Sequence, residues 1–128
     1  MKIWVDDVRM VPAGHIWCRS VNDAMVIIRY LEQKVTEFRG MRNVLKAAGA
    51  SEDEIKKWEN YIEEENIELI DIDHDAGIYA NDGGDYIKLL DWLEETGRNY
   101  PIRIHSMNPV GVENMRRVIQ RNGWTEVE

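Results

Sequence analysis

The sequence holds a single cysteine, Cys18, so no internal disulfide can form and no Cys-x-x-Cys pair exists to grip zinc through thiolates. Cys18 reads instead as a small, buried apolar side chain. Long apolar runs are missing as well. Stretches such as Met25 to Ile28 fall far short of the roughly 20 residues that a membrane helix needs, and Met1-Lys2-Ile3-Trp4 runs toward Asp6-Asp7 rather than into an apolar leader. Cations are in deficit, 16 Lys and Arg against 24 Asp and Glu, for a net charge of −8. That balance argues against strong non-specific DNA binding, which needs clustered cations to displace counterions, but leaves room for a small anionic substrate. A cytoplasmic protein with no membrane association is the expectation. The chain also lacks internal repeats and low-complexity tracts. Its 128 residues, 44% apolar and 31% charged, suit a single domain over 1–128.

Strand and helix signals alternate along the chain. Lys2 to Val5 reads as a short buried strand ending at Asp6-Asp7, followed by a loop with Pro12 and Gly14. His15 to Arg19 has β-favouring residues. Ser20, Asn22 or Asp23 can cap the next helix, whose Met25, Ile28, Leu31 and Val35 share one face. From Glu37 to about Asn66 the pattern changes to two further helices. Gly49 ends the first, and Ser51-Glu52-Asp53-Glu54 opens the second as a capping box. This hairpin, at about 37–66, reads as a packing embellishment, with a lid or a protein-partner surface as the alternatives. Trp58, Tyr61 and Ile62 would carry a homodimer contact there if exposed.

Ile67 to Ile72 is the strongest strand and runs into Asp73-His74-Asp75; Pro101 to Ile104 is a third, ending at His105-Ser106. Asn108-Pro109 opens a helix that Gly123 closes, and Trp124 to Val127 reads as a last strand. The alternation predicts an α/β three-layer sandwich, with a mainly parallel sheet covered on both faces. In such a sheet the loops leaving the carboxyl ends of neighbouring strands meet on one edge. A lone strand-end Asp is an ordinary solvated turn residue. Three strands that each end in ionisable residues, two of them with histidine, read as a site.

The residue inventory suggests the chemistry. Asp6, Asp7 and Asp73 or Asp75 are candidate ligands for a hard divalent cation such as Mg²⁺ or Mn²⁺. His74 and His105 are the side-chain type best suited to serve as a general base and acid pair. Ser106 and Asn108 can donate to a phosphoryl oxygen, although Asn108 equally suits a helix cap. Zinc on His74, His105 and a carboxylate is chemically sound but matches no standard local zinc spacing. Arg9, Arg103, Arg116 and Arg117 could form a positive rim, Arg9 being the strongest candidate. His15 stands apart from the site, and Asp71, inside a strong strand, needs a partner or an exposed strand end.

The runs Val5-Asp6-Asp7-Val8-Arg9 with Pro12, Ile72 to Gly77, Trp92-Leu93, Pro101 to Gly111 and Asn114-Met115 resemble the cyclic-phosphate-processing receiver-like family, a branch of the receiver fold. The resemblance implies a receiver-like (flavodoxin-like) sheet with an inserted helical hairpin. It also implies a pocket uniting Asp6, Asp7, Asp73, Asp75 and a phosphate-facing Arg9 with His74, His105, Ser106 and Asn108. The function read from it is a divalent-metal-assisted phosphodiesterase that opens a cyclic phosphate of a nucleotide or an RNA end, with His74, His105 and Asp7 catalytic. The alternative is a non-enzymatic receiver-like module that binds a nucleotide, a metal or a protein partner. The insert is longer than the family pattern, and no lysine follows Gly123, which disfavours phosphoacceptor signalling through Asp73.

Overall fold

The computed structural model describes all residues, Met1–Glu128. Four short strands, β1 (Lys2–Val5), β2 (His15–Cys18), β3 (Leu69–Ile72) and β4 (Ile102–Ile104), pair in parallel in the order β2-β1-β3-β4. This is the receiver-like order. The expected last strand is reduced to one parallel bridge, Ile102 with Glu126, closed by hydrogen bonds from Ile102 N to Thr125 O and from Val127 N to Ile102 O.

Between the strands lie α1 (Val21–Ala47), α2 (Glu52–Glu65) and α3 (Ile87–Glu95), with a 3₁₀ turn at Gly77–Asn81, and α4 (Pro109–Asn122) follows β4. Their boundaries follow local chemistry. The Ser20 and Ser51 side chains each accept the backbone N–H three residues on, satisfying a donor that a helix start leaves bare. Asn108 does the same for Gly111, with Pro109 in the first turn. Gly123 closes α4 in the left-handed region, at φ 66°.

The break expected near Glu37 is absent, because α1 runs through it for 27 residues. Gly40 is the weakest helix former there, and a single glycine costs only about 1 kcal/mol. What changes near Glu37 is the neighbour. Ile28, Leu31 and Val35 pack toward the sheet, whereas Phe38 meets Trp58 and Tyr61 of α2 in an aromatic trio. At 1.5 Å per residue α1 is about 40 Å long, against about 13 Å for a four-residue strand. It starts at the carboxyl edge just after β2, so its second half and α2 extend beyond the amino edge. The hairpin therefore lies at the end of the molecule away from Asp6 and Asp73 and cannot roof them.

The helices occupy one face. Ile3, Val5, Cys18, Ile70, Ile72 and Ile102 form one core cluster with Ala24, Ile28 and Leu31 of α1, Leu89, Leu90 and Leu93 of α3, and Met115, Val118 and Ile119 of α4. The topology explains this. The β2-to-β3 and β3-to-β4 crossovers advance in the same direction, and right-handed crossovers then put their helices on the same side. Only the β1-to-β2 connection advances the other way, and it is a loop. The helical layer expected on the second face is accordingly replaced by side chains from the strands themselves: Lys2, Trp4, His15, Trp17, Leu69, Asp71 and Arg103. No helix is long and apolar enough to cross a membrane.

Candidate functional site

Asp6 leaves β1 fully buried. Its Oδ1 accepts the N–H groups of Val8 and Arg9, both at 2.9 Å, while Trp17 Nε1 donates to its carbonyl at 2.8 Å. Burial opposes ionisation, but these amides together with His105 outweigh it and hold the Asp6 carboxyl below its ordinary value. Asp7 behaves oppositely. Burial raises its pKa, and the charges of Asp6 and Asp73 add to the rise against a bond from its own amide. Gly77, at φ 56°, makes room for Asp7: a Cβ there would stand 2.6 Å from Asp7 Oδ2. Asp73, at the end of β3, accepts the N–H of His74 at 2.7 Å.

His105 lies flat on the Trp4 indole, with ring centroids 3.8 Å apart and planes 1° from parallel. Its Nε2 meets Asp6 Oδ2 at 2.8 Å and its Nδ1 meets Asp71 Oδ1 at 2.6 Å. An ionised carboxylate only accepts, so both bonds coexist when the ring carries two protons or one carboxyl retains its own. Asp71, awkward in the sequence, is thus partnered, and Arg103 adds a contact at 3.7 Å. The Arg9 guanidinium donates to the His105 carbonyl at 2.7 Å and otherwise stands in solvent, which ties the β1 loop to the end of β4.

A second group forms at the start of α4. His74 Nδ1 pairs with Asp75 Oδ1 at 2.9 Å, and Asn108 Nδ2 donates to Asp75 Oδ2 at 3.3 Å. Ser106 Oγ accepts the Asn108 N–H at 3.1 Å. The His74 ring lies against Gly111, where any Cβ would collide with it. With Nδ1 donating to Asp75, Nε2 carries the free lone pair and has no protein partner.

The expected residues thus divide. One oxygen or nitrogen atom from each of Asp6, Asp73 and His105 comes within 4.8 Å of the other two, a donor set able to hold a divalent cation. His105 could join as a ligand only by giving up one of its carboxylate bonds, so the carboxylates are the readier donors. Asp7 belongs electrostatically to this group. Asp75 is exposed and bonded to His74 and Asn108 instead, and Asn108 serves as the helix cap. Arg116 and Arg117 of α4 pair with Glu126 and Glu113 and stay outside the site. Sequence reasoning missed the Trp4 and Asp71 contacts to His105; the one available signal was the uncompensated carboxylate inside β3.

No cavity opens at this edge: all four cavities lie along α1 and α2 or at the amino edge. The surrounding loops and helix starts expose Val8, Met10, Ile78, Met107 and Val110. A parallel sheet in receiver order, with an acidic pair after β1 and an aspartate after β3, defines a receiver-like domain. The family model described as "Cyclic-phosphate processing Receiver domain" matches residues 52–121, more than half of the chain, and the protein belongs to that family. No curated protein and no solved structure matches it.

Proposed function

We propose that the protein is a divalent-metal-assisted phosphodiesterase that opens a cyclic phosphate of a nucleotide or an RNA end. The observation that carries this reading is the convergence of ligand atoms from Asp6, Asp73 and His105 with Asp7 beside them: burial raises the Asp7 pKa, and the charges of Asp6 and Asp73 add to the rise, a repulsion that a cation would neutralise. A bound Mg²⁺ or Mn²⁺ supplies Lewis-acid polarisation of a phosphoryl oxygen. His74, oriented through Nδ1 by Asp75, takes the proton of the attacking water at Nε2. As the new P–O bond forms and the ring P–O ester bond breaks, His105 gives its Nε2 proton to the leaving oxygen, at the cost of the bond to Asp6. Arg9 and Ser106 face the added negative charge, while Asn108 holds Asp75 and the start of α4 in place. The exposed apolar side chains on the same loops offer surface to the nucleoside.

The test is turnover of 2′,3′- and 3′,5′-cyclic nucleotides with Mg²⁺, Mn²⁺ or chelator, with products resolved by phosphorus NMR. Metal-dependent ring opening is expected, with Asp7→Ala abolishing it and His74→Ala lowering it by about 10²–10⁴. Full turnover in both His74→Ala and His105→Ala would sink the mechanism. One observation favours a second reading, a module that binds nucleotide or metal without turnover: both His105 ring nitrogens are already engaged. Metal and nucleotide binding by the folded protein without any product would establish that reading.

A further inference from the structure

The helix-free face of the sheet carries a layer of aromatic and cationic side chains. Trp4 stacks on His105 and meets His15 edge-on at 6.0 Å, while the Arg19 guanidinium lies 4.1 Å above the Trp17 ring. The strands also project Lys2 and Arg103 from this face, and Arg19 and Arg103 are exposed. The only carboxylate the strands send to this side is Asp71, whose side chain is 2% exposed and held by His105 and Arg103. In a chain of net charge −8 this face is therefore locally positive. It also runs to the carboxyl edge, where Asp6 and His105 stand and where no cavity encloses a small molecule.

We propose that this face docks a single-stranded nucleic acid, whose end reaches the carboxylate edge. Bases find π-surface in Trp17 and His15, which remain half-buried, and phosphates find Lys2, Arg19 and Arg103. An open sheet with aromatic side chains between cations suits unpaired bases, whereas a duplex hides its bases and offers only phosphate. Three cations give a modest affinity, with a salt slope of about −2 from roughly −0.7 per phosphate neutralised. Delivery of a cyclic-phosphate end to the site rests on the function proposed above; binding itself does not.

The probe is a labelled single-stranded octaribonucleotide with a free 3′-hydroxyl, titrated by fluorescence anisotropy at low salt and at several salt concentrations. Lys2→Gln and Arg19→Gln are each expected to weaken binding several-fold and to flatten the salt slope by about 0.7, whereas Arg42→Gln on the distant hairpin leaves both unchanged. The indole N–H resonance of Trp17, assigned through Trp17→Phe, is expected to shift on titration while that of Trp58 stays in place. No binding by the folded protein, binding insensitive to these substitutions, or equal binding of polyglutamate would overturn the proposal, the last pointing to an acidic protein partner. Turnover separates the two claims. A lower KM for a cyclic-phosphate-ended octamer than for the mononucleotide, restored to the mononucleotide value by Arg19→Gln, supports both. Equal KM values overturn the docking face and leave the phosphodiesterase standing; binding with the expected variant pattern but no turnover does the reverse.

Discussion

At the scale of single residues, one missing side chain shapes the site. Gly111 lies within α4, where alanine is the better helix former, yet its missing Cβ is what lets the His74 ring lie against the helix. Gly111→Ala is therefore expected to leave a folded helix but displace His74, lowering turnover at least tenfold with little change in Tm. Activity assay and thermal melt together check this, and undiminished activity would remove His74 from the chemistry. Cys18 is 1% exposed, and burial pushes its thiol up to about 12. Native protein is expected to resist a thiol-labelling reagent at pH 8 and to react after denaturation. The carboxylates and histidines were legible in the sequence because they end apolar strands. Their partners were not. Asp71 and His105 stand 34 residues apart, and which carboxylate each ring nitrogen meets depends on strand register.

Among the elements, α1 and α2 differ in what anchors them. The sheet-side half of α1 buries Val21, Ala24, Ile28, Leu31 and Val35, and Arg98 clamps Glu32 through hydrogen bonds of 2.9–3.1 Å, assisted by Tyr100. By contrast, α2 buries no residue fully and rests on the Phe38, Trp58 and Tyr61 contacts. Amide hydrogen exchange is expected to be fastest in α2 and the second half of α1, and slowest at Ile28 and Leu31. Protection in α2 equal to that of the core would contradict this. Ser51→Ala removes the cap of α2 and should cost about 1 kcal/mol of hairpin stability, read in the same experiment as faster α2 exchange. Caps and helix ends were readable because they depend on neighbours within four residues. The continuity of α1 was not, because the apolar stripe shifts when the helix exchanges the sheet for α2, and the shift mimics a break.

For the molecule as a whole, α3 and α4 are joined at their surface by Glu94, which accepts from Arg121 at 2.7 and 2.8 Å and from Asn122. These bonds hold the Glu94 carboxyl at about 2 instead of its ordinary 4.5. Its pKa is depressed by folding, so the contribution is present above pH 4.5 and fades as the pH falls toward 2. Exposure and solvent screening keep it small. Thermal melts of the wild type and Glu94→Gln should accordingly differ slightly at neutral pH and converge as the pH approaches 2; a gap that widens with acid would contradict the linkage.

The sequence by itself determined the alternation of strands and helices, the caps at Ser51 and Asn108, the stop at Gly123 and the placing of ionisable residues after β1, β3 and β4. Each is written in periodicity or in contacts within a few residues, so a linear reading can reach it. Only the tertiary structure decided that one sheet face lacks helices, that the hairpin extends from the end opposite the carboxylates, and that His105 bridges Asp6 and Asp71 while His74 turns to Asp75. Those outcomes follow from crossover handedness, from helix length measured against strand length, and from register between strands distant in the chain, none of which any short stretch of residues encodes alone.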